Sequence, residues 1–109
     1  MYHFIREFEP NLSGLKFLHF NDFCKQLDYL QKEFGFVDKC EFLNAIKNKN
    51  NCPNGVILTF DDGLKDHFRY VFPELVRRNL WGIFYVSSGP YDQKIVLSVH
   101  KIQYLLAKY

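Results

Sequence analysis

At 109 residues the chain is one domain at most, well short of the roughly 250 residues of a complete α/β enzyme barrel. A hydrophobic share of 48% with 18% aromatics excludes a disordered tail and predicts a packed core. The net charge of +2 is too mild to point to nucleic acid or an anionic membrane surface, and no stretch nears the roughly 20 apolar residues of a membrane span. Arg6, Glu7 and Glu9 interrupt the apolar start, so no signal peptide is read. A cytoplasmic location is expected, unless an N-terminal segment precedes Met1. Cys24, Cys40 and Cys52 are an odd number at unpatterned spacings, which predicts reduced structural thiols.

In chain order, residues 2–5 are apolar and aromatic enough for the tail of a strand. Arg6 to Gly14 reads as loop, with Pro10, Asn11, Ser13 and Gly14 supplying turn chemistry. Asn21 is placed to cap a helix with Phe23, Leu27, Leu30 and Phe34 at helical spacing, closed by Gly35; Cys24 falls on its apolar side as a small buried hydrophobe. Phe36 and Val37 suggest a very short strand. Asp38 to Glu41 has capping-box spacing and opens a second helix bearing Phe42, Leu43 and Ile46. That helix decays into an Asn/Lys-rich loop over 48–55.

Val56 to Phe60 is a short apolar run after the turn signal Pro53-Asn54-Gly55, which predicts a buried strand. Leu64 to Tyr70 reads as loop or a short helical turn. Pro73 suits the first turn of the next helix, with Glu74 near its start and Arg77 and Arg78 near its end. Leu80 to Val86 is another strand candidate. Ser98 is placed to cap a last helix that buries Val99, Ile102, Leu105 and Leu106. Strands alternating with helices predict an α/β fold with a parallel sheet and βαβ crossovers.

The Val56 strand ends in Asp61-Asp62-Gly63. Ligands and chemistry gather beyond the carboxyl ends of strands in α/β sheets, and carboxylates leave water only when paired, protonated or bound to a metal. Asp62-Gly63 could instead form a hairpin turn, but residues 64–70 lack the alternation of a partner strand.

Thr59-Phe60-Asp61-Asp62-Gly63 after an apolar strand resembles the first motif of polysaccharide deacetylases, the NodB-type homology domain of carbohydrate esterase family 4. Met1-Tyr2-His3 is similar to the M-Y-H that ends an early strand in many members. Phe72-Pro73-Glu74-Leu75, followed by Gly82-Ile83-Phe84-Tyr85-Val86, is similar to the helix and strand after the acidic motif. The resemblance implies that residues 1–109 are the front part of such a (β/α) barrel, lacking its C-terminal part. It also implies a divalent metal, zinc with cobalt or nickel as substitutes, and an N-acetylated carbohydrate substrate.

Carried over by position, the resemblance makes Asp61 the general base and Asp62 a metal ligand. Amide deacetylation requires an activated water, a base and positive charge near the developing oxyanion, and a metal supplies the first and third. The family's second motif, H-[ST]-x-x-H-P, has no counterpart here. Of the four histidines, His3 is expected to line the substrate pocket, because it ends a strand next to the acidic tip. His100 reads as a helix-surface or cap-proximal residue, His67 as facing solvent, and His19 carries no signal.

A haloacid-dehalogenase phosphatase spaces its aspartates as D-x-D, whereas Asp61 and Asp62 are adjacent. An EF-hand loop fails for want of alternate acids and a glutamate at position twelve. The remaining alternative is a non-catalytic remnant or split-gene piece that keeps the first motif alone. With one ligand from the motif, these 109 residues are not expected to deacetylate at a useful rate. An unpaired sheet edge after the last strand predicts self-association.

Overall fold

The computed structural model describes residues 1–49 and 51–109. Its architecture is mixed α/β, with short strands in parallel pairs. The strand β1 (Ile5–Arg6) pairs with β2 (Leu18–His19), and β3 (Leu58–Phe60) pairs with β4 (Gly82–Phe84). Tyr2 joins the two pairs through a parallel bridge to Phe60, with its N–H on the Thr59 carbonyl at 2.8 Å and its carbonyl on the Asp61 N–H at 2.9 Å. Phe36 bridges Val56, so the predicted stub at 36–37 forms as a single pair. The strands are shorter than the apolar runs suggested, and they do not close into a barrel among the described residues.

The helices are α1 (Phe20–Glu33), α2 (Lys39–Asn48), α3 (Phe72–Arg77), α4 (Gly89–Gln93) and α5 (Ser98–Lys108). The cap of α1 is His19 rather than Asn21. The helix follows directly from β2, and the His19 Nδ1 accepts the Asn21 N–H at 3.2 Å, replacing a carboxylate or hydroxyl cap. Gly35 closes α1 as expected, with φ at +69° and its N–H on the Leu30 carbonyl. Asp38 caps α2, accepting the N–H groups of Cys40 and Glu41 at 2.8 and 3.0 Å. Among the described residues no helix is long and apolar enough to cross a membrane.

Between β3 and β4 the chain makes a βαβ unit. Its helix begins at Lys65, earlier than predicted, and widens to a π turn over His67–Val71 before continuing as α3. Pro73 accounts for the widening. It has no N–H to donate, and its ring would press on the carbonyl four residues back in a regular helix. The Phe72 N–H reaches the His67 carbonyl instead. β1 reaches β2 without a helix, through the 3₁₀ turn Pro10–Leu12.

The core is Ile5, Phe23, Leu27, Leu58, Phe60, Val71 and Leu75. Phe60 is its centre, fully buried and stacked on Phe84 at 4.8 Å and on Tyr2 at 5.6 Å, with Phe23 edge-on at 6.2 Å. Gly82 lets β4 lie this close, since a Cβ there would meet the Phe60 ring at 2.7 Å. The predicted burial of α5 is not what forms. Val99, Ile102, Leu105 and Leu106 are half-exposed or more, and only Ala107 is buried. The helix docks through its last turn, where a Cβ on Gly14 would meet the Leu106 carbonyl at 2.9 Å. That contact leaves the apolar side without sheet to cover.

An ion cluster around the buried Glu74 ties α1 to α3. Glu74 accepts from Arg77 at 2.8 and 2.6 Å and from Arg78 at 2.6 Å, while Arg78 also pairs with Asp28. Cys24 is half-buried, and its thiol donates to Glu74 at 3.5 Å. Burial, with Glu74 beside it, pushes that thiol pKa up. The hydrogen bonds from Arg77, then Arg78, hold the Glu74 carboxyl down at about 2 against an ordinary 4.5.

Two outcomes follow. Phe60→Ala should destabilise the fold by about 3–5 kcal/mol in urea unfolding, the range for large aromatic truncations in a core; a loss under about 1 kcal/mol would place the ring outside it. Because the Glu74 carboxyl is depressed on folding, its contribution is complete above pH about 4.5 and fades as pH falls toward 2. Allowing for screening at exposed Arg77, that contribution is on the order of 2 kcal/mol. Glu74→Gln should flatten the acid limb of the stability profile, and an unchanged limb would refute the linkage.

Candidate functional site

The carboxyl end of β3 carries the acids, as α/β geometry favours. After Phe60 the backbone turns through Asp62 at φ +75° and Gly63 at φ +59°. Aspartate tolerates this left-handed region better than most residues. At Gly63 a Cβ would also meet Val86 at 3.0 Å, so glycine serves both the turn and the approach of the chain beyond β4. Asp61 and Asp62 are about three-quarters buried at the side chain, on a cleft of about 500 Å³ lined also by Met1, Thr59, Tyr85 and Ser87.

His3 lies beside the acids. The bridge between Tyr2 and Phe60 sets it beside Asp61, and its Nε2 lies 3.8 Å from Oδ2 of both Asp61 and Asp62. His100 joins the site against expectation. It sits in the first turn of α5, its ring edge-on to Phe4 at 5.7 Å, and its Nε2 is 3.2 Å from Asp62 Oδ2. The readable signal was positional, because the segments after β3 and β4 open on one rim and His100 lies in the first turn of the last helix, α5.

His67 is buried rather than facing solvent. Its ring packs on Phe60 at 5.6 Å and Phe84 at 6.0 Å, and its Nε2–H donates to the His3 carbonyl at 2.8 Å. A carbonyl can only accept, so that nitrogen carries the proton. His67 therefore fixes the backbone of His3 and does not itself reach the acids. Nearby, Arg6 faces Asp66 at 3.5 Å, and burial pushes the Asp66 carboxyl pKa up against the pull of Arg6. His19 remains a helix cap away from the site.

Asp61, Asp62, His3 and His100 thus form one cluster of two carboxylates and two imidazoles. The donor types suit a zinc-class ion. Their placement does not complete a site, for among the described residues no group of three or more His, Cys, Asp or Glu side chains is arranged to hold a metal ion. Asp62 and His100 form the nearest approach to such a pair, with His3 standing further off. Comparison with protein-family models, curated proteins and solved structures yields no match for this chain.

The role of His67 has a direct check. His67→Phe keeps the ring contacts but leaves the His3 carbonyl without its donor, a loss of about 1–3 kcal/mol for a buried polar group. Thermal unfolding should register that loss, and a variant as stable as the parent would show the hydrogen bond to be dispensable.

Proposed function

We propose that this chain carries the acidic part of a metal-dependent deacetylase site acting on an N-acetylated sugar or polysaccharide, within a (β/α) barrel of the polysaccharide-deacetylase type. The observation that carries this reading is the cluster at the end of β3, where the T-F-D-D-G acids lie beside two imidazoles. Asp61, which faces only His3 and the cleft, is the general base. It is the acid free to accept a proton from water attacking the acetyl carbonyl. Asp62 is the metal ligand, held by His100, which is the second candidate ligand. His3, half-exposed beside the two acids, is the proposed substrate contact. A bound zinc, cobalt or nickel ion would acidify water and polarise the acetyl carbonyl. Three donors do not converge among the described residues, so an ion held here would need further ligands.

The same shortfall favours the second reading, a non-catalytic domain of this type. Titration with cobalt and assay on N-acetylated chitooligosaccharides separate the two. Metal affinity should fall at least tenfold in Asp62→Ala and stay within threefold in Asp61→Ala; equal losses would refute the division of labour. Acetate release abolished by Asp61→Asn supports the enzyme. Metal bound through Asp62 with no acetate released supports the non-catalytic domain.

Self-association is part of the same reading. Among the described residues β4 pairs with β3 on one side only, and Tyr85, Phe68 and Phe72 are exposed. Sedimentation velocity should show association that grows with concentration, and a monomer at all concentrations would contradict it.

A further inference from the structure

The turn that leads into β3 carries chemistry of its own. Asn54-Gly55 is the one Asn-Gly step in the sequence, and both residues are exposed, with Gly55 at φ +130°. Asn and Gly suit a turn for conformational reasons alone. The pair is also chemically labile, because the asparagine side-chain amide lies within five-membered-ring reach of the next backbone nitrogen, and glycine has no Cβ to shield that nitrogen. Among the described residues no backbone hydrogen bond holds the Gly55 N–H, so its proton is open to water. Asp62-Gly63 makes the contrast. There the side chain is about three-quarters buried, and its Oδ2 lies 3.2 Å from His100 Nε2.

We infer that Asn54 is a site of spontaneous deamidation that loosens the entry to β3, whatever the chemistry at the acids. The Gly55 nitrogen attacks Asn54 Cγ and a new C–N bond forms. The Cγ–Nδ2 bond breaks, and the departing nitrogen takes up the Gly55 proton and leaves as ammonia. Water then opens the cyclic imide at either carbonyl, giving aspartate or, with the chain rerouted through Cγ, isoaspartate. Both products add a negative charge, and isoaspartate also adds a methylene to the backbone just before Val56. That position has little slack. A Cβ on Gly55 would meet the Gly35 carbonyl oxygen and Val37 at 3.2 Å. The Val56 N–H reaches the Gly35 carbonyl at 2.9 Å, and its carbonyl accepts from the Val37 N–H at 3.1 Å. The lengthened chain therefore opens the Phe36–Val56 bridge. Phe60 is held by its ring stack further along, so the Asp61 N–H keeps its bond to the Tyr2 carbonyl.

The full chain, aged in mildly alkaline buffer, gives the test through mass spectrometry of the tryptic peptide over 50–65 and amide hydrogen exchange. Asn54 should show the amide-to-acid mass gain at least tenfold faster than Asn11 or Asn51, and at a rate in the folded chain within threefold of that in urea. Isoaspartyl chains should exchange the Val37 and Val56 amides at least tenfold faster, with the Asp61 and Tyr85 amides unchanged. Asn54→Gln, whose ring closure would need six members, should keep its mass and its exchange pattern. Freshly prepared Asn54→Asp carries the charge without the extra methylene and should exchange like the parent. Deamidation that begins at Asn51, or that runs tenfold slower in the folded chain than in urea, would overturn the site. Isoaspartyl chains with Val37 and Val56 still protected, or fresh Asn54→Asp with both exposed, would overturn the link to β3.

Discussion

Three aromatic rings on three neighbouring chain segments hold this structure together. Phe60 on β3 lies between Tyr2, from the segment leading into β1, and Phe84 on β4, and Phe23 of α1 closes the end of the stack. The strands are only two or three residues long, so their ladders supply few hydrogen bonds to fix register. The stack does this instead, since a slip by one residue would turn each ring to the opposite face. Gly82 is required by the same contact, because any side chain there would strike the Phe60 ring.

The site follows from this register. With Tyr2 beside Phe60, the next residues along the two segments, His3 and Asp61, must meet at the rim. His67 packs against the same rings and reaches over them to the His3 carbonyl, so the core and the site share a residue. Charge is separated from this centre. The Glu74 cluster, which draws its carboxyl down to about 2, braces α3 against α1. The acids at the rim are partly open to water, where a substrate or ion can reach them.

Much of this was legible in the sequence, and for identifiable reasons. Asp38 and Gly35 ended their helices as expected, because capping depends on local chemistry. The apolar run into Asp61 and Asp62 fixed the strand and its acidic tip, and the position of His3 followed from that. Apart from the cap of α1, which is His19 in place of Asn21, the main misses were tertiary. His67 looked like a polar residue in a loop, but the helix begins earlier and the π turn opposite Pro73 faces it inward. The apolar side of α5 has the spacing of a buried helix, yet Val99, Ile102, Leu105 and Leu106 stay half-exposed or more. His100 has no partner at a recognisable spacing, and only the packing of the first turn of α5 against the turn after β3 brings it to Asp62.

The central claim is that the end of β3 gathers His3 and His100, and no other imidazole among the described residues, beside Asp61 and Asp62, the acids proposed to take a divalent ion. Long-range proton–nitrogen spectra of the four histidine rings during a zinc titration test it most directly. The account predicts that the Nε2 signals of His100 and then His3 move, while His67, bound to the His3 carbonyl, and His19, capping α1, stay in place. Spectra in which His19 or His67 responds first, or in which no ring responds, would contradict it.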